Sequence, residues 1–263
     1  MELASPRHHW RHTLAAALTG LVALGAIASL QVPELQRIKG DRTFTDEELQ
    51  QQLTLEASRL ELLKRSPAFG YDNLMANWVF LSFVQYFGDE EVRQRTDYSL
   101  SPEYFEIVLQ RDPRFILAYT FLSTSASQYA GVPERAVEIM DRNVSRLEPN
   151  APPNSYFVWR QKAIDELLFL GDGETARQSF ETAADWAEQS SFPGSDNAAA
   201  LSRQTAQFLA QNPDSSSAQI AAWMLVLQNA VDERTRQNAR DRIEALGGEF
   251  IENPDGSSTI RIP

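Results

Sequence analysis

Apolar residues recur at three- and four-residue intervals through most of this chain, the spacing that gathers them on one face of a helix. Thr45 and Glu48 have capping-box spacing, and Leu49, Leu53, Leu60 and Leu63 then mark an amphipathic helix to about Lys64, ended by Ser66-Pro67 and Gly70. Its leucine stripe is expected to pack on the next hairpin, being short for a coiled-coil seam. Asp72 can open a second helix to about Phe87, apolar round most of its circumference through Leu74, Met75, Trp78, Val79, Leu81, Phe83, Val84 and Phe87. A helix of that kind, only about four turns long, is expected to be buried between neighbours.

Further on, Ser101-Pro102 opens a helix closed by Asp112-Pro113, and Ile116 to Tyr129 forms the next. Pro133 starts its partner, with Ala136, Val137, Met140, Val144 and Leu147 on one face and Glu148-Pro149 at its close. A third pair runs around Tyr156 to Leu170 and Glu174 to Gln189, across Gly171-Asp172. After a loop from Ser190 to Asn197, helices are predicted at Ala198 to Gln211 and Ala218 to Leu246, the second with a break near Val231-Asp232. The tail, Glu249 to Glu252 and Thr259 to Ile262 around Asn253-Pro254-Asp255-Gly256, reads as a β-hairpin that should dock on the last helices, with docking on a partner as the alternative.

Within this pattern the chain repeats itself. Phe80-Leu81-Ser82 followed by Gln85-Tyr86-Phe87-Gly88 returns as Phe121-Leu122-Ser123 followed by Gln128-Tyr129-Ala130-Gly131, with two extra residues between the halves. An aromatic precedes each Leu by three, Trp78 and Tyr119, and Trp159-x-x-Lys162-Ala163 follows at nearly the same interval, so the aromatics stand 41 and 40 residues apart (119−78 and 159−119). That is a helical-hairpin period. The chain thus divides into a membrane anchor or signal segment (1–33), an amphipathic linker helix (34–71), the repeats (72–189), C-terminal helical or capping repeats (190–248) and the hairpin tail (249–263).

Leu14 to Leu30 holds no charge and follows Arg7 and Arg11. It reads either as an uncleaved single span or as a secretory signal cleaved after Ala26-Ile27-Ala28; the continuation of the apolar run past that point favours the span. Arg37, Lys39 and Arg42 lie beyond it, so a basic-residue count does not fix orientation. The short basic amino terminus favours a body in a periplasm or thylakoid lumen, with the cytoplasmic face and a soluble exported protein as alternatives.

Charge and residue usage exclude more than they assign. A net charge of −12 repels phosphate backbones, which argues against nucleic acid. No Cys occurs, and the three His (His8, His9, His12) sit in the first twelve residues, leaving the body without thiol or imidazole chemistry. Those His read as solvated flanking residues, with neither metal nor cofactor expected. Asp89-Glu90-Glu91 and Asp165-Glu166 are the closest carboxylate groups, and neighbours in sequence diverge on a helix, so both read as solvated charges. Ser195-Asp196-Asn197 lacks any Ser-x-x-Lys to complete a penicillin-binding pattern, and Gly171-Asp172-Gly173 lacks the glycine and strand of a nucleotide loop.

The aromatic with Leu three later, the small residue after it, the turn glycine, Ala176-x-x-x-Phe180-x-x-Ala183 on a second helix and the closing Asp/Glu-Pro resemble the tetratricopeptide repeat over residues 72–189. The period is longer than that family's, Lys162 stands where Leu is expected, and Glu188 replaces the closing Pro. Phe69-Gly70-Tyr71-Asp72-Asn73-Leu74 through Gln85-Tyr86-Phe87-Gly88-Asp89 also resembles membrane-anchored bacterial, chiefly cyanobacterial, repeat proteins of unassigned role. The fold this implies is all-α: a solenoid of helical hairpins behind an N-terminal membrane segment. By that resemblance Thr120, Thr124, Gln128, Gln161, Asp165 and Leu168 line a partner-binding groove. With no Lys, Arg or Asn among the six, it would suit an apolar and basic peptide.

The expected function is a non-enzymatic, membrane-tethered protein-interaction scaffold, of unknown oligomeric state, aiding assembly of a membrane complex. A carboxylate-dependent enzyme or accessory subunit acting on envelope polymers is the alternative, and a self-packing structural spacer a third.

Overall fold

The computed structural model describes residues 19–20, 22–25, 27, 29, 44–212, 214–252 and 258–261. The chain divides into two compact units, Met1–Glu48 and Leu49–Pro263. In the first, the described residues between 19 and 29 are helical. Among the described residues no helix is long and apolar enough to cross a membrane, and much of Leu14 to Leu30 lies outside them, as do His8, His9 and His12.

The protein is mostly helical. Thr45 and Glu48 close the expected capping box, the Glu48 carboxylate accepting from the Thr45 N–H at 2.9 Å and the Thr45 hydroxyl oxygen from the Glu48 N–H at 3.2 Å. Helix α1 follows, Asp46–Arg65, with Leu49 and Leu60 buried and Leu53 and Leu63 packed against the main core. Its last carbonyls, which have no partner within the helix, are met by Arg111. That guanidinium donates to Leu63 O, Lys64 O and Ser66 O, and pairs with Asp72 at 3.1 Å.

Three helical hairpins come next. Helix α2 (Asp72–Gly88) is followed by a short α3 (Glu90–Arg95), whose Glu90 and Glu91 are exposed, and packs on α4 (Ser101–Arg111). Helix α5 (Ile116–Leu122) continues as a π-helical stretch, Ser123–Tyr129, and pairs with α6 (Pro133–Val144). Helix α7 (Tyr156–Asp165) likewise widens into a π-helical stretch, Glu166–Leu170, before α8 (Gly173–Glu188). One core runs through the first two hairpins. Phe83 meets Phe105 at 4.5 Å between ring centres, and Phe80 meets Phe115 at 4.8 Å and Phe121 at 5.4 Å.

Two expectations are corrected. The loop from Ser190 is shorter than predicted, because α9 starts at Ser195 and runs to Gln211, packed on α8. Helix α2 is not buried all round: its inner face (Ala76, Val79, Phe83, Tyr86) is covered, whereas Leu74, Trp78, Leu81 and Val84 are exposed. The final helical segment does break near Val231-Asp232, into α10 (Ser216–Asn229) and α11 (Glu233–Ala245), with the buried Asp232 carboxylate capping α11 at Thr235 N, 2.8 Å away. Strands β1 (Glu249–Glu252) and β2 (Ser258–Arg261) pair antiparallel.

The last helix pair folds back over earlier hairpins. Trp223 of α10 is buried edge-on against Phe169, 5.2 Å between ring centres. Thr235 of α11 donates its hydroxyl to Tyr129 O at 2.7 Å, at the close of the first π-helical stretch. The glycines after both stretches have positive φ, and each lies under an amide side chain of this pair: a Cβ on Gly131 would fall 2.6 Å from Asn238, and one on Gly171 2.7 Å from Gln219.

Candidate interaction surface

The six residues assigned to a groove separate. On α5 and its π-helical continuation, Thr120 is exposed and Thr124 and Gln128 are half-buried, near exposed Leu117. Gln161, half-buried on α7, donates to the Ser123 hydroxyl at 2.9 Å. Leu168 packs against the cluster of Phe169, Ile220 and Trp223. Asp165 is wholly buried.

Asp165 and Glu166 are therefore not solvated charges. Ser123 donates to one Asp165 oxygen at 2.5 Å and Ser127 to the other at 2.8 Å, joining the second hairpin to the third. Burial pushes this carboxyl up to about 6, against the lowering effect of the Ser123, Ser127 and Gln161 hydrogen bonds; the neighbouring Glu166 charge raises it further. Glu166 is also held above the ordinary value by burial, although Lys162 donates to its Oε1. Lys162, itself buried, reaches Ser179 Oγ and Asp141 Oδ1, each at 3.2 Å, and so bridges α6, α7 and α8.

Another buried acid, Glu106 on α4, is treated oppositely. Burial alone would raise it, but hydrogen bonds from Lys64 and Arg142 and the Arg135 charge hold it at about 2. All three cations lie at 2.7 Å, drawn from α1 and α6. The Asp165 and Glu106 carboxylates thus each fasten one helix to another. Among the described residues no group of three or more His, Asp and Glu could hold a metal ion.

What remains open to a partner is helical surface. The row of Leu117 and Thr120 on α5 with Thr124 and Gln128 on its π-helical continuation offers neutral side chains with one aliphatic group. The outward face of α2 is more apolar, and the sequence reading missed it because an all-round apolar helix reads as a buried one. A usable signal was present in Phe69-Gly70-Tyr71, two aromatics flanking a turn glycine just before that helix. The chain matches no family model, no curated protein and no solved structure.

Proposed function

We propose that this chain is a membrane-tethered, non-enzymatic scaffold of tetratricopeptide-like hairpins that holds other polypeptides during assembly of a membrane complex. The tether is the apolar run Leu14 to Leu30, with the helical body on the periplasmic or lumenal side.

The observation that carries this reading is how the buried polar groups are used. Asp165 and Glu106 join helices rather than facing a cleft. A carboxylate-dependent enzyme would need two acids open to one substrate, and these two are engaged within the fold. In the neutral row, by contrast, Leu117 and Thr120 are exposed with Thr124 and Gln128 half-buried beside them, and such a helical surface suits a polypeptide bound through side-chain contacts.

A photo-crosslinking residue placed at Thr120, in native membranes, tests the reading. It should trap a reproducible partner, and Thr124→Arg, which puts a long charged side chain into the same row, should cut that yield at least about tenfold. A chain present at its natural level that traps nothing there, or the same product with Thr124→Arg, would overturn it.

A further inference from the structure

Helix α2 has two apolar faces, and the fold covers one. Opposite the buried Ala76, Val79, Phe83 and Tyr86, Leu74 is 66% exposed and Leu81 61%, with Trp78 and Val84 beside them. The other exposed positions on that side are Asn73, Asn77, Gln85 and Gly88, and no charged residue occurs from Asn73 to Gly88. In a chain that is 23% charged, a solvated helix face without one is out of keeping.

The turn ahead of α2 adds a second, independent observation. Phe69 has φ 51, a left-handed conformation that costs a bulky residue about 1 kcal/mol or more. The ring so placed is 85% exposed, with exposed Tyr71 just beyond Gly70. Strain at Phe69 is therefore not repaid by burial within the fold, and two aromatic rings stand exposed just before the apolar face.

We propose that Phe69, Tyr71, Leu74, Trp78, Leu81 and Val84 lie in the interfacial layer of a lipid bilayer. The inference rests on the membrane tether of the proposed function and adds where the body touches the lipid. Aromatic side chains with an apolar body and a polar edge, such as Tyr and Trp, concentrate at that depth, with aliphatic groups beside them reaching the acyl chains. Neutral Asn and Gln suit the headgroup layer without the desolvation cost of a full charge. Arg59, which pairs with Glu56, has its guanidinium 5.2 Å from the centre of the Trp78 ring and sets a cation at the rim of the face. The chain itself supplies proximity. An inserted Leu14 to Leu30 would tether the body to the bilayer through the same chain, which makes even a weak attraction of the face for lipid effectively intramolecular.

The absence of Cys allows a direct test. Full-length single-cysteine variants Phe69→Cys, Leu74→Cys and Leu81→Cys, with Glu181→Cys on exposed α8 surface as the control, are labelled with an environment-sensitive fluorophore. They are then reconstituted in phosphatidylcholine vesicles carrying spin-labelled lipid, and circular dichroism verifies that helix content is retained. Labels at the three α2-side positions should be quenched at least about threefold more than the control and shift to the blue, as for a segment at the interfacial depth. A chain that floats with the vesicles while these labels stay unquenched keeps the tether and overturns the contact. Labels shielded from water but not from each other, with a dimeric mass in detergent, assign the face to a second copy and also overturn it. A chain left in the aqueous fraction overturns the tether, and the contact with it.

Discussion

The Asp165 carboxyl, enclosed by two serine hydroxyls without a cation, gives the protein an unusual dependence on pH. Its ordinary value of 3.8 rises to about 6 in the fold. Between those values the folded protein keeps a proton that the unfolded chain has released, so this group's contribution is complete below pH 3.8 and is lost as pH rises through 6. The loss is about 3 kcal/mol, at about 1.4 kcal/mol per unit. Glu106 runs the other way: lowered from 4.5 to about 2, its contribution is complete above its ordinary value and is lost as pH falls from there through 2. Asp165→Asn separates the two. The amide can accept from Ser123 and donate to the Ser127 oxygen, so urea denaturation should find the variant about 2 kcal/mol more stable than the parent at pH 8 and level with it near pH 4. Parallel pH profiles for the two proteins would refute this account. None of it was legible in Asp165-Glu166 alone, because adjacent acids usually mark a wet turn. The signal lay elsewhere, in the two extra residues of the second repeat copy. They fall in the π-helical stretch that carries Ser127, and their meaning depends on packing 38 residues away.

At the scale of elements, the π-helical stretches and the glycines that end them repeat one arrangement twice. A residue inserted into a helix widens it locally, and Gly131 and Gly171 then turn the chain with positive φ, each beneath an amide of α10 or α11. Alanine there must bear both an unfavourable backbone and a Cβ within 2.8 Å of a neighbour. Gly70 has positive φ as well, but an added Cβ would meet nothing within 4 Å. Gly171→Ala should therefore cost about 2–3 kcal/mol and Gly70→Ala about 1 kcal/mol, read as denaturation midpoints. Equal costs would mean that the amide gives way freely. The sequence located most helices through proline starts, glycine stops and apolar spacing, as at Ser101-Pro102 and Gly171-Asp172. It could not assign the outward face of α2, since periodicity marks apolar positions without saying which side is covered. It also placed the start of α9 late, since Ser195-Asp196-Asn197 reads as loop until Ser195 is seen buried against its neighbours.

Across the whole molecule, the nearly even spacing of Trp78, Tyr119 and Trp159 hid unequal surroundings: the first is exposed, the second buried and the third half-buried. The period was legible; the place of each hairpin in the assembly was not. Nor did any local pattern announce that α11 crosses back to the earlier hairpins. Besides the Thr235 contact, Arg234 of α11 pairs with Asp97 and Arg242 with Glu134. A stack in which each repeat touches only its neighbours melts piecemeal, whereas this closure ties the ends together. Trp223→Ala should accordingly cost about 3–5 kcal/mol, and a fluorophore at Phe69→Cys should report the same lowered midpoint as far-ultraviolet circular dichroism. Two separated transitions would show that the ends unfold independently. The same backward reach sets a condition on synthesis. While the nascent chain leaves the ribosome, the carbonyl of Tyr129 and the cleft over Gly131 wait for more than a hundred further residues before Thr235 and Asn238 arrive. Helpers that shield unfinished chains would meet this one with its early hairpins already made and their seam still open.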